Sequence, residues 1–189
     1  MSTKYKNFFF LFTVVLLLTF LKIDFRFTET IYCCSDDFDY FIHTETISED
    51  FDFDYSNQLK GYENERFNLN SKVAPIGYVG SGILSTPFMI TGNIMDFLRV
   101  KTFGNNTFMN YKLLMYSFSS IFYLFLSFYL IFKSLIILQI NIKNIELVIL
   151  FLGSGISYYA FERFSMTHVY EVFSTSLVIF VSSNYYKKN

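Results

Sequence analysis

The chain alternates between long apolar runs and one extended polar stretch. The first apolar run, Phe8 to Leu21, has Lys4 and Lys6 before it and Lys22 and Arg26 after it. No small-residue cleavage site follows, so a retained span is favoured over a cleaved signal peptide. Leu113 to Phe132 carries no charge and is bounded by Lys112 and Lys133, which predicts a membrane-crossing helix. Weaker runs at Leu147–Phe161 and Val172–Tyr186 become long enough to cross if Glu146 and Glu171 sit near an interface. Ile83 to Phe97 contains Pro87, Gly92 and Asp96 and reads as an interfacial or re-entrant helix.

These runs predict an all-α integral membrane protein with about four transmembrane helices, at 7–25, 112–133, 144–161 and 169–186. A long loop, 26–110, separates the first two and holds short interfacial helices near 36–47 and 80–98. Residues 134–143 form a connection, 162–168 a short turn, and 1–6 and 187–189 the two ends. Lys4 and Lys6 at the start, Lys133 and Lys143 in the connection, and Lys187 and Lys188 at the end place those three segments in the cytoplasm. The loop 26–110 and the turn 162–168 then lie outside, in a multi-pass membrane protein. A fifth crossing at 83–98 would reverse the last two lysines and is the less consistent arrangement.

Composition sharpens this picture. Hydrophobic residues make up 52% and charged residues 16% of the 189, well under the roughly 25% charged share of a soluble domain. The charge is segregated: Asp24 to Lys72 holds 12 acids and 4 bases within a chain of net charge −1. Bases are scattered singly at segment edges, which excludes a nucleic-acid-binding face. Cys33 and Cys34 are adjacent and alone, so neither a disulfide framework nor a cysteine metal site is available. With no Trp, an aromatic belt has to be built from the 15 Tyr and 26 Phe.

In the outer loop, carboxylates alternate with rings, as in Asp50-Phe51-Asp52-Phe53-Asp54-Tyr55. The alternation has a strand period, and it also suits a segment with rings toward a membrane surface and charges toward water. Ser35 can cap a helix starting near Asp36, with Phe38, Phe41 and Ile42 as its apolar side. Asp36 and Asp37 are the leading candidates for chemistry: a carboxylate within reach of an acceptor hydroxyl makes it nucleophilic, and a clustered pair can hold a divalent cation. The plain alternative is that acids in a first turn only interact with the helix dipole and water. Asp52 and Asp54 read as solvated edges, and His43 as a solvated or capping residue. Gly77-Tyr78-Val79-Gly80-Ser81-Gly82 lacks the order and the lysine of a phosphate loop, although amides at the following helix start can hold a lipid phosphate. In the turn, Arg163 either meets a phosphate leaving group or pairs with Glu162 or headgroups. His168 either orients a substrate or caps a helix.

The order of these pieces resembles the N-terminal part of the polyprenyl-phosphate-sugar-dependent membrane glycosyltransferases. This GT-C superfamily includes protein O-mannosyltransferases, aminoarabinose lipid A transferases and glycosyltransferase family 39-like proteins. The resemblance is carried by Ser35-Asp36-Asp37-Phe38-Asp39-Tyr40 after a first span, then Glu49-Asp50-Phe51-Asp52-Phe53-Asp54. It continues through Ala74-Pro75-Ile76-Gly77-Tyr78, Ile83-Leu84-Ser85-Thr86-Pro87-Phe88 and Gly92, and ends at Arg163-Phe164-Ser165-Met166-Thr167-His168-Val169-Tyr170. Asp37 stands where the family commonly has glutamate, and Phe38-Asp39 replace its usual next pair.

The resemblance implies transfer of a sugar from a polyprenyl-phosphate donor to an extracytoplasmic glycan, lipid or protein acceptor, with inversion. Asp36 would be the base and Asp37 a positioning or metal-binding group. Lys72, Arg163 and His168 would serve the donor, with a divalent metal ion as an optional partner. Family members usually have eight or more spans, so a truncated copy is expected, incomplete for activity alone. The rival reading is a noncatalytic membrane subunit or anchor that binds a partner through its acidic loop.

Overall fold

The computed structural model describes residues 6–7, 9–10, 12–14, 17, 31, 35–61, 68–69, 72–103, 110–141 and 143–188. The architecture is helical. Its elements are α1 (Ser35–Glu49), β1 (Asn68–Leu69), β2 (Lys72–Val73), α2 (Gly80–Phe103), α3 (Tyr111–Ile137), α4 (Asn144–Gly153), α5 (Ile156–Phe161) and α6 (His168–Lys188). The strands form a minimal antiparallel hairpin pairing Asn68 with Val73 and Leu69 with Lys72. The chain divides into two compact units, one of Asp24–Ser119 with Ser165–Thr167, the other of Met1–Ile23, Ser120–Phe164 and His168–Asn189. Most of the expected first span, 7–25, and both cysteines lie outside the described residues.

In the first of these units α1 packs against α2. α2 meets α1 through small residues: Gly82 lies against His43 and Ser85 against Thr44, and Ser81, Thr86 and Met89 are buried on the same helix. A Cβ on Gly82 would stand 2.6 Å from the His43 Cβ, so only glycine lets the helices approach this closely. Two buried hydroxyls, Ser85 and Thr44, join the helices. Ser85 donates to the Ser81 carbonyl at 2.8 Å and receives the Thr44 hydroxyl at 2.7 Å. The sequence predicts a short interfacial helix at 80–98; the observed helix runs 24 residues, with Pro87 inside it and Arg99 and Lys101 continuing it past the expected end.

The alternating Asp50–Tyr55 segment is a set of side-chain-supported turns rather than a strand. Phe51 takes φ +58° just after α1. Asp52 Oδ1 accepts from the Asp54 amide at 3.0 Å, and Asp54 Oδ1 accepts from the Ser56 amide at 3.1 Å. Asp50 accepts from the side-chain amides of Asn57 and Gln58. Short carboxylates compete for backbone donors and so break the extended pattern that alternation alone suggests. Phe51 and Phe53 are exposed while Tyr55 is buried.

Among the described residues α3 is the one helix long and apolar enough to cross a membrane. Its 27 residues extend about 40 Å at 1.5 Å per residue, against a hydrocarbon thickness of about 30 Å. The helix continues a turn past the expected end at Lys133. It stops in a paired 6→1 and 5→2 arrangement, with Ile140 N donating to Leu135 O at 2.8 Å and Gln139 N to Ile136 O at 3.2 Å. Gln139 there holds φ +60°, a conformation that disfavours a side chain. Gln139→Gly is expected to raise stability by about 0.5 kcal/mol, the relief of left-handed strain less the added chain entropy. Equilibrium unfolding in micelles that gave a less stable variant would contradict this account of the stop.

Around α3 the second unit has a core of Ile121, Leu124, Phe128, Phe151, Ala160, Phe161 and Val169. Its buried serines return their hydroxyls to carbonyls, Ser127 to Tyr123 at 2.6 Å and Ser134 to Leu130 at 2.8 Å, while Ser120 reaches Ala160 O of α5 at 2.8 Å. Where the apolar run predicts one helix over 144–161, the chain forms α4 and α5. The break falls at Ser154-Gly155, where Gly155 takes φ +70°. The Glu146 carboxylate caps the start of α4 by accepting from the Lys143 amide at 2.7 Å. α6 covers the expected 169–186 and extends to Lys188.

Candidate functional site

The acidic motif opens α1. Asp36 is exposed and Asp37 is buried, at 2% of its full exposure, so the two neighbouring carboxylates occupy different environments. Adjacent helical positions diverge by about 100°, which stops the pair from converging on one point. No group of three or more His, Cys, Asp or Glu side chains able to hold a metal ion occurs among the described residues. Of the two, Asp36 is the accessible carboxylate.

What joins α1 is part of the turn between α5 and α6. Tyr116 donates its phenol proton to Ser165 Oγ at 2.8 Å, and the Ser165 hydroxyl donates to the Asp37 carbonyl oxygen. All three residues are buried. Phe41, one helical turn along α1, packs edge-on against Tyr116 with ring centroids 5.5 Å apart. A segment 128 residues away in sequence is thus bonded to the backbone of the acidic motif.

The other candidates are distributed as follows. Lys72 lies in β2 of the same unit as Asp36. Arg163 and His168 belong to the other unit. Arg163 is half-buried, its amide donating to Tyr158 O at 3.2 Å. His168 opens α6, its Nδ1 3.4 Å from Glu171 Oε2 and its ring edge-on to Tyr159 at 4.2 Å. These contacts are those of a helix-start residue held by its own turn.

His43, expected to be solvated or capping, is instead a buried clamp. Its Nε2–H donates to the Gly77 carbonyl at 2.8 Å, which leaves Nδ1 to accept the Tyr55 hydroxyl at 2.8 Å. One imidazole thereby ties α1 to the 50–61 turns and to the segment before α2. Burial holds its pKa below the usual 6.5, against the opposing pull of the Gly77 bond and the Asp39 charge. Because the folded value is depressed, the unfolded chain binds more protons near pH 6. The His43 contribution is complete above about pH 6.5 and is lost as pH falls below it. Hydrogen exchange at pH 7.5 and 5.5 is expected to show weaker protection of residues 40–60 in acid, with the difference retained in His168→Asn. A flat profile would contradict it.

Two further groups carry no sequence motif. Lys112 places its ammonium between Glu45 and Glu49, 2.6 Å from the latter, and 5.7 Å from the Phe41 ring centroid. Asp96 of α2 accepts from the first amides of α3, Tyr111 at 3.3 Å and Lys112 at 2.9 Å, while Asn110 Oδ1 takes the Leu113 amide at 3.0 Å. Three otherwise unpaired donors at that helix start are satisfied, two of them by another helix. The only advance signal was a lone acid beside a glycine in an apolar run.

The fold and site define a helical protein with a membrane-length helix and an acidic, hydrogen-bonded unit at that helix's start. Comparisons of the chain with protein-family models, curated proteins and solved structures find no match.

Proposed function

We propose that the chain is a membrane glycosyltransferase segment of the GT-C type, moving a sugar from a polyprenyl-phosphate donor to an extracytoplasmic acceptor. The observation that carries this reading is the Ser165 bond to the backbone of Asp37, because it joins two of the motifs in which the resemblance lies. Asp36 is accessible beside it. In the proposed step the acceptor hydroxyl gives its proton to the Asp36 carboxylate as its oxygen attacks the anomeric carbon. The bond from that carbon to the phosphate oxygen breaks, and the polyprenyl phosphate leaves with the electron pair, giving inversion. Lys72, of the same unit as Asp36, is the cation proposed to meet the leaving phosphate.

The proposed topology has four crossings with 26–110 outside. The noncatalytic reading keeps one observation of its own, the exposed Phe51 and Phe53 among carboxylates.

Asp36→Asn tests the choice. In membranes supplied with a radiolabelled polyprenyl-phosphate sugar, the substitution is expected to lower transfer by about 10²-fold or more, as loss of a general base does, with helix content unchanged. Transfer that persists in the variant, or is absent with the unaltered chain, overturns the catalytic role.

A further inference from the structure

We propose that the end of α3, with the start of the first apolar run, forms a binding site for the phosphate headgroup of a membrane phospholipid. The inference rests on the reading that α3 crosses a membrane. Residues 6–7, 9–10 and 12–14 are helical, and Phe12 packs edge-on against Phe125 of α3 with ring centroids 4.8 Å apart. Asn7 lies beside the last turns of α3, so the two segments run in opposite directions. Where they meet the chain beyond α3 there is an open notch of about 60 Å³. It is lined by three carboxamides, Asn7, Gln139 and Asn141, and by the apolar Phe132, Leu135 and Ile136. That volume is too small to enclose an acyl chain and suits part of a headgroup.

Level, chemistry and charge all select this ligand. A 27-residue helix outruns the hydrocarbon, so the notch at its end lies among headgroups. The apolar half of the lining faces back along α3 toward the tails. The side-chain amides of Asn7, Gln139 and Asn141 bond to nothing among the described residues, so their N–H donors are open to an acceptor. No carboxylate lines the notch. Lys6 precedes Asn7, Lys133 follows Phe132 and Lys143 lies two residues past Asn141, a charge that complements phosphate. The carbonyls that end the helix are already occupied and so oppose an anion less. Ser134 O, Leu135 O and Ile136 O accept from the amides of Leu138, Ile140 and Gln139 at 2.9, 2.8 and 3.2 Å. Finally, Gln139 keeps φ +60° where glycine would be less strained. Retained strain at a cavity marks a side chain held for what its amide binds.

Native mass spectrometry of the full chain, released from micelles holding dilute phosphatidylglycerol, reads the site directly. A lipid is expected to stay on the chain at least about tenfold more tightly than diacylglycerol, which has the same tails and no phosphate. Gln139→Gly removes one amide donor while relieving strain, so a loss of binding in it cannot come from a weakened fold. That variant and Asn7→Leu are each expected to bind phosphatidylglycerol about tenfold less tightly. Unchanged binding in both variants, or equal binding of diacylglycerol, overturns the site and leaves an unselective lipid shell. Inorganic phosphate that binds as tightly as the lipid also overturns it, making the notch a free-anion site. Retention of neither lipid overturns it as well, and that result alone also removes the crossing of α3.

Discussion

Gly92→Val is expected to be the most damaging single substitution in the described structure. A Cβ at this position would lie 2.5 Å from the Tyr111 carbonyl oxygen and 2.7 Å from the Lys112 Cα. Both are backbone atoms at the start of α3, so no side chain can rotate to make room. Either α2 retreats or the first turn of α3 unwinds. Retreat by the ångström or more needed for contact distance also stretches the bonds from Asp96 to the Tyr111 and Lys112 amides. Overpacking costs about 1–3 kcal/mol and a lost charged hydrogen bond about 1.5–3, so a combined loss of about 3 kcal/mol is expected. Gly92→Ala should move in the same direction by less. Equilibrium unfolding in micelles, with hydrogen exchange at Tyr111–Leu114, measures both effects. A change below about 1 kcal/mol for valine would mean the approach of the two helices is softer than described.

Lys112→Met is the second large effect. Lys112 and Glu45 each retain 19% exposure, and Glu49 lies one turn from Glu45 on α1. Removing the ammonium leaves the largely desolvated Glu45 without a counter-ion, beside the more exposed Glu49. Breaking a fully buried pair costs about 3–5 kcal/mol; the remaining solvent access reduces the expected loss here to about 2 kcal/mol at neutral pH. Burial already raises the Glu45 pKa, with Lys112 the main influence opposing it. Without the lysine that pKa rises further, so the folded chain takes up a proton more readily than the unfolded one as pH falls. The deficit of Lys112→Met should therefore shrink between pH 7 and pH 5. Glu45→Gln combined with Lys112→Met should recover part of the loss, a double-mutant cycle that isolates the pair. A deficit independent of pH would assign the effect to lost packing over Phe41 instead.

Several elements were legible in the residues themselves. The uncharged run between Lys112 and Lys133 predicted α3, since a helix of that length and composition has few other stable environments. Ser35 with two acids ahead of Phe38, Phe41 and Ile42 predicted α1, and both Phe41 and Ile42 are buried. Other expectations failed for local reasons. The run at 144–161 was interrupted by the left-handed Gly155, and at Asp50–Tyr55, where alternation left a strand and a surface-lying segment both open, carboxylates bonding the adjacent amides exclude the strand. His43 was read as peripheral because its partners, Tyr55 and the Gly77 carbonyl, are distant along the chain and follow no pattern.

The candidate site divides in the same way. Residue types and their order marked Asp36, Asp37, Lys72, Arg163 and His168, since those are the groups able to move a proton or meet a phosphate. They could not assign Asp36 to solvent and Asp37 to the interior, because that difference depends on what α1 packs against. Likewise Ser165 was an unremarked turn residue until Tyr116 and the Asp37 carbonyl were found on either side of its hydroxyl.

Hydropathy and helix propensity, which act over neighbouring residues, determined that this chain is helical and that Tyr111–Ile137 is long and apolar enough to cross a membrane. Tertiary structure alone decided that Gly92 must be glycine, that Lys112 bridges Glu45 and Glu49, and that His43 is a clamp. Each of those outcomes depends on atoms brought within a few ångströms from distant segments, where sterics and desolvation act, and no local pattern encodes which segments will meet.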